Sequence, residues 1–145
     1  MISFVSKEKP LSYNSKHKAD YQTRLRQQFA RYQSDYPQIP VSDELSVKLI
    51  YIHKDHQDIP DIDNISKPFI DAFSKVIYHD DFQVRHRECT RIPIEEYENQ
   101  AVEINLGNMS IQAAEDLISY LEDEEVRHIV FCEIRKFDVT QTTIG

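Results

Sequence analysis

The chain of 145 residues contains little glycine and cysteine and has no long apolar run. Its two glycines, Gly107 and Gly145, cannot build the glycine-rich loop that cradles phosphate groups in many nucleotide-binding proteins. Its two cysteines, Cys89 and Cys132, are isolated and lack the spacing of a metal site, so we expect buried free thiols. No run approaches the ~20 apolar residues of a membrane-spanning helix. These absences argue against a glycine-loop nucleotide site, a cysteine-based zinc site and a membrane span.

Length and composition predict one cytoplasmic domain. The chain has the usual size of a single domain, and its 40% hydrophobic residues are enough for a core. The N-terminal segment Met1–Val5 is too short for a signal peptide. The net charge of −8 is unevenly spread, because residues 107–145 hold three Lys or Arg against eight Asp or Glu. Nucleic-acid binders are usually basic, so the global charge argues mildly against that role.

Hydrophobic periodicity predicts an α+β fold with a small mixed or antiparallel sheet covered by helices. Apolar spacing of three to four residues predicts helices over residues 17–36, from Asn64 or Ser66 to about Ile77, and from Ser110 to Glu122. Alternation predicts strands over residues 2–5, 44–53, 83–94, 101–106 and 126–137. We expect the strands over 83–94 and 101–106 to form an antiparallel pair.

Five aspartates and a lysine lie within residues 61–81. Asp61 and Asp63 are two residues apart, so in an extended segment both carboxylates could face one ion. Lys67 and Asp71 are four apart and share a helix face. Clustered carboxylates repel one another unless a cation lies among them, and hard divalent cations prefer carboxylate oxygens. The alternative is that Asp61 and Asp63 are turn and cap residues and that Lys67 and Asp71 form an ordinary helix pair. The remaining aspartates are Asp80 and Asp81.

Two groups of basic residues are candidates for contacting nucleic acid. One lies on the polar side of the first predicted helix, and the other is a row of arginines on one face of the strand over 83–94, where guanidinium groups could hold phosphates. The alternative for both groups is an ordinary solvated surface. His53 and His56 have the spacing of a weak metal pair, but no cysteine or further histidine supports zinc. The basic candidates are Lys16, Lys18, Arg24, Arg26, Arg31, Arg85, Arg87 and Arg91.

The motif over residues 60–84 resembles the signature of the RusA family of Holliday junction resolvases. Asp61-Ile-Asp-Asn-x-x-Lys67-Pro-x-x-Asp71-Ala-Phe is followed by Tyr78-x-Asp-Asp-x-Gln83-Val. The segment Pro10-Leu-Ser-Tyr-Asn14 resembles the N-terminal Pro-x-Ser-x-Asn segment of the family. The resemblance extends from about residue 2 to residue 106, which makes residues 1–106 a family-like core and residues 107–145 a C-terminal extension with no counterpart. Family members are small, homodimeric, magnesium-dependent endonucleases that cut four-way DNA junctions.

The resemblance implies a role for each matching residue. Asp61, Asp63 and Asp81 match the metal-binding catalytic carboxylates of the family, and Lys67 matches its essential lysine. The implied cofactor is Mg²⁺, with Mn²⁺ as a substitute. The implied partners are branched DNA and a second copy of the chain, with no membrane, in DNA recombination and repair. Supporting roles in capping and orientation are expected for Asn64, Asp71, Asp80 and Gln83.

The chemistry of phosphodiester hydrolysis agrees with this assignment. The reaction needs an activated water and stabilisation of negative charge, which Mg²⁺ on carboxylates and a nearby lysine can supply. No Ser-His-Asp or Cys-His nucleophile is readable from the sequence. Two alternatives stay open: a nuclease of this fold that acts on other DNA or RNA structures, and a non-catalytic nucleic-acid-binding or protein-binding module. The acidic residues 107–145 slightly favour the second alternative.

Overall fold

The computed structural model describes residues 1–11, 14–97 and 99–145. Within them it contains three α-helices and four strands, which confirms the predicted α+β class. None of the helices in these residues is long and apolar enough to cross a membrane. Ser12 and Tyr13 of the N-terminal Pro-x-Ser-x-Asn segment lie outside the described residues. The elements in chain order are β1 (Ile2–Ser6), α1 (Lys18–Phe29), β2 (Leu45–His53), α2 (Ile62–Ala72), β3 (Val84–Pro93), α3 (Ile111–Glu122) and β4 (His128–Lys136).

The four strands form one mixed sheet in the order β1-β4-β2-β3. Strand β4 is antiparallel to both of its neighbours, with Cys132 opposite Phe4 on one side and opposite Leu49 on the other. Strand β3 lies at the edge and is parallel to β2. The last strand of the chain therefore lies between the first two, and β1 is joined to the rest of the sheet through β4.

Helices α1 and α2 cover one face of the sheet, and α3 covers the other. The ring of Phe4 lies 4.8 Å from that of Phe29 in α1 and 5.9 Å from that of Phe69 in α2. On the opposite face, Leu117 of α3 lines a cavity with Phe131 and Ile50, whose side chains alternate with those facing α1 and α2. The core is therefore split into two layers by the sheet.

The first helix is shorter than predicted. Helix α1 ends at Phe29, and a 3₁₀ turn over Gln33–Asp35 follows. Beyond α1, the Tyr32 hydroxyl donates to the Asp116 carboxylate of α3, and the Tyr36 hydroxyl donates to the carbonyl of Ser3 at 3.1 Å. These buried contacts with distant elements override the local helical periodicity.

The predicted strand over 101–106 and its antiparallel pairing with β3 are wrong. Residues 101–105 have no regular secondary structure, and Leu106–Asn108 form a 3₁₀ turn. Val102 and Ile104 line a cavity with Ile52 and Ile92 on the sheet face. Their alternation therefore reflects a segment that lies across the sheet rather than a strand within it. Strand β3 pairs instead with β2, and α2 forms the connection between the two strands. A helical crossover of this kind joins parallel strands.

Candidate functional site

Helix α2 begins earlier than predicted and carries most of the acidic motif. Asp61 is its N-cap residue, with extended backbone angles, and Asp63 lies in its first turn. The prediction of an extended Asp61–Asp63 segment is therefore wrong, as is capping by Asn64 or Ser66. Pro68 lies inside the helix. Proline is usually found in the first turn of a helix, and this preference accounts for the later predicted start. Carboxylates at a helix N-terminus are stabilised by the helix dipole, which favours this earlier start.

Three charged residues form a row along one face of α2. Asp63, Lys67 and Asp71 follow one another at intervals of four residues and so lie on the same side of the helix. The Nζ of Lys67 is 3.2 and 3.1 Å from the two carboxylate oxygens of Asp71. It also lies 3.7 Å from Oδ2 of Asp81, beyond the end of the helix. The lysine ammonium is therefore shared by two carboxylates that are ten residues apart in the sequence.

The turn that carries Asp81 is held by its two neighbours in the motif. The backbone N–H of Phe82 donates to Oδ1 of Asp80 at 2.8 Å, and Oε1 of Gln83 accepts from the N–H of Asp80 at 3.0 Å. The Nε2 of Gln83 ties the turn to the segment before β2 by donating, at 2.9 Å each, to the carbonyls of Val41 and Asp43. These bonds fix the backbone at Asp81 while leaving its carboxylate directed at Lys67.

The arginines of β3 lie on the sheet face that α1 and α2 cover. Arg87 is opposite Val47, and Arg91 is opposite Tyr51, both of which are buried under the helices. The predicted shared face is therefore confirmed for Arg87, Cys89 and Arg91. The register shifts by one residue between Leu45 and Ser46, so that Arg85 has no partner in β2.

Strand β3 runs back along α2. Burial raises the pKa of the Cys89 thiol, and the nearby Asp63 carboxylate acts in the same direction, whereas the Arg87 guanidinium opposes it. The first turn of α2 thus lies beside the middle of β3, while Lys67 lies beside the turn that precedes β3. The chain therefore doubles back along the helix, but it brings the middle of β3, and not Asp81, beside the first turn of α2.

A cleft of about 420 Å³ opens between α2 and β3. Carboxylates and the lysine line its helix side, and guanidinium groups line its strand side. In the described part of the chain, no three His, Cys, Asp or Glu side chains come together as a ready-made metal site. Asp61 and Asp63 lie at the N-terminal end of α2, where Asp63 precedes Lys67 by one helical turn. Carboxylate oxygens nevertheless fit the ligand preference of Mg²⁺. The lining residues are Lys67, Ile70, Asp71, Asp81, Val84, Arg85, His86 and Arg87.

Three arginines predicted to contact nucleic acid bind other parts of this chain. Arg24 pairs with Glu8 at 3.0 Å, and Arg31 pairs with Asp116 at 3.3 Å. Arg26 donates at 3.1 Å to the carbonyl of Ala72, the last residue of α2. These contacts favour the alternative in which the three arginines belong to the ordinary surface of the protein and do not bind nucleic acid. Lys16 is exposed, and Lys18 is partly buried at the start of α1. A DNA-binding role for these two lysines stays a prediction.

The sequence did not indicate the contact between His53 and Arg91. The buried His53 accepts a hydrogen bond on Nε2 from Nη1 of Arg91 at 3.1 Å, and its Nδ1 contacts the carbonyl of Asp55 at 2.5 Å. Because a guanidinium only donates, this pairing assigns the proton of a neutral imidazole to Nδ1. His53 therefore positions the end of the arginine row. No local pattern could have revealed a pair that meets only through the register of β2 and β3.

The family model of the endodeoxyribonuclease RusA matches residues 3–106. The match covers well over half of the chain and includes α2, the turn at Asp81 and β3, which together form the cleft. It ends before α3 and β4. A comparison with curated proteins finds no match.

Proposed function

The chain belongs to the RusA family of endodeoxyribonucleases, and on this premise we propose that it is a metal-dependent nuclease that cuts four-way DNA junctions in DNA recombination and repair. The observation that carries the proposal is the cleft in which Lys67 lies between Asp71 and Asp81, beside the arginines of β3. The cleft therefore offers carboxylates that can bind a metal cation and basic side chains that can bind a phosphate.

Asp61, Asp63 and Asp81 would hold Mg²⁺, or Mn²⁺ in its place. A bound ion of this kind lowers the pKa of a water molecule and stabilises charge on the phosphate oxygens. The three carboxylates are partly or fully exposed, so a cation can reach each of them from solvent. Asp80 and Gln83 would support this by fixing the turn below Asp81.

Lys67 would stabilise the negative charge that develops on the phosphate in the transition state. Asp71 holds the lysine ammonium with both carboxylate oxygens, which restricts its orientation. Arg87, which lines the strand side of the cleft, and Arg91, further along the same strand, would bind the flanking phosphates. Among the described residues Arg87 has no ion-pair partner, so its guanidinium is available for such a contact.

A second copy of the chain would provide the second active site that a four-way junction requires. Two sites related by a twofold axis would place cuts symmetrically across the branch point. This arrangement is part of the proposal and is tested by the symmetry of the products.

The proposal is tested by incubating the protein with a fixed four-way junction in Mg²⁺, with duplex, flap, fork and RNA substrates in parallel. We expect paired symmetrical nicks in the junction, slower cleavage of the other substrates and none in EDTA. Faster cleavage of flaps, forks or RNA would move the assignment to another substrate. Binding without any product would instead indicate a non-catalytic module.

Replacing Lys67 with glutamine is expected to lower the single-turnover nicking rate by about 100-fold, because the developing negative charge loses its ammonium partner. Stability should fall by less than about 1 kcal/mol, since the lysine and its two carboxylates are partly exposed. Lys75→Gln, at an exposed lysine beyond the end of α2, is the matched control and should nick normally. Equal rates for the two variants would contradict the assigned role.

A further inference from the structure

An exposed phenylalanine adjoins the proposed site. Phe82 follows Asp81 directly and is 74% exposed, the highest value among phenylalanine and tyrosine residues in the described part of the chain. The next most exposed, Tyr97, is 37% exposed. Leaving such a ring in water forfeits most of the free energy that its burial would supply.

The position of Phe82 is fixed by its backbone. Its N–H donates to the Asp80 carboxylate, and the adjoining Gln83 side chain is bonded at both ends to other backbone groups. These bonds hold the 3₁₀ turn over Asp81–Gln83. The ring therefore cannot turn into the core without the turn that carries Asp81 being broken.

One neighbour of the ring is a cation. The guanidinium carbon of Arg85 lies 4.8 Å from the centre of the Phe82 ring, within the range of a cation–π contact. Glu44 holds the same guanidinium through an ion pair of 3.1 Å. The two planar groups form a small, preorganised surface at the mouth of the cleft, which Arg85 also lines.

We propose that Phe82 and Arg85 form a stacking platform for a nucleobase that has left the base stack at the branch point of the DNA. Aromatic side chains and arginine both stack on bases of any sequence. The acidic neighbours Asp80 and Glu44 would repel a phosphate, but they do not oppose an uncharged base. This inference rests on the proposed junction-cleaving function and adds a feature that distinguishes branched DNA from duplex.

The platform lies next to Asp81, and this location determines its effect on cleavage. A base held on Phe82 would bring the backbone of its own nucleotide to the cleft that contains Lys67 and Asp81. In an intact duplex the base must first be unpaired and unstacked, which costs a few kcal/mol, whereas an unpaired base at a branch point needs less. The platform would therefore favour cleavage at branch points.

The test uses four-way junctions that carry 2-aminopurine at single positions around the branch point, with binding measured in EDTA and nicking in Mg²⁺. We expect the wild-type protein to alter 2-aminopurine fluorescence at one or two positions. Phe82→Ala should abolish this change and lower junction affinity about tenfold. Phe82→Trp should retain both, and Tyr97→Ala is the matched control at an exposed aromatic residue outside the cleft.

Three outcomes would overturn the platform while leaving the nuclease intact. These are unchanged fluorescence and affinity in Phe82→Ala, an equal loss of affinity for duplex, and a change in molar mass by light scattering, which would make Phe82 a contact between chains. If the wild-type protein neither binds nor nicks any junction, the proposed function itself fails.

Discussion

Replacing Asp81 with asparagine is expected to lower the rate of junction nicking by about 100-fold or more in Mg²⁺. Asparagine keeps the shape of the side chain but removes the charge that would hold the cation and that now lies 3.7 Å from Lys67. Junction affinity should be retained, because one negative charge is removed from a surface that binds phosphates. The measurement is single-turnover nicking together with binding in EDTA.

Asp58→Asn is the matched control for this experiment. It makes the same chemical change at an exposed aspartate outside the cleft, and asparagine tolerates the positive φ of 55° at this position. Nicking by this variant should remain within a few-fold of wild type. If Asp81→Asn also nicked at the wild-type rate, Asp81 would have no place among the metal ligands.

Removing residues 107–145 is expected to prevent folding. Strand β4 separates β1 from β2, so the truncated chain would leave β1 without a neighbour in the sheet. It would also lack the buried side chains of Ile129, Val130 and Ile134. Burial of each stabilises the fold by about 1.5–3 kcal/mol, and whole domains are stable by only about 5–15 kcal/mol. Circular dichroism and thermal melting should show no cooperative transition.

A shorter truncation provides the control for this prediction. Residues 139–145 are exposed and follow β4, so their removal should shift the melting temperature by no more than a few degrees. A cooperatively folded fragment of residues 1–106 would contradict the structure. Because the deleted protein is expected to be unfolded, deletion cannot reveal whether the acidic C-terminal segment affects DNA binding. That question requires replacing exposed acidic residues of α3 with uncharged ones.

Elements with strong local signals were predictable from the sequence. Ser110 caps α3 as expected, accepting a hydrogen bond from the N–H of Ala113 at 3.1 Å. The alternation of buried residues in β2 is also as predicted. By contrast, the pattern of Val102 and Ile104 is the same whether a segment pairs within a sheet or lies across it, so its misassignment reflects a real ambiguity of period-two patterns.

The candidate site was predictable only where its contacts are local. The pair of Lys67 and Asp71 follows from helical spacing alone. The approach of Asp81 to Lys67 depends on where α2 ends and on the path of β3. The contact of His53 with Arg91 depends on a parallel register that no local sequence encodes. Phe82 gave no signal, because a single phenylalanine in a sequence is most often a core residue.

The position of β4 also constrains the order in which the protein can be assembled during synthesis. Of the four strands, β1 is made first and its neighbour β4 is made last. Ile2 therefore lies opposite Ile134 in the folded chain. Contacts between such distant residues slow folding, because a long loop must close before any free energy is gained. β2, α2 and β3 can leave the ribosome and begin to associate, but their sheet gains its central strand only when translation has passed residue 136. A nascent chain interrupted between residue 91 and that point would therefore contain every residue of the proposed site and still lack the framework that holds the site together.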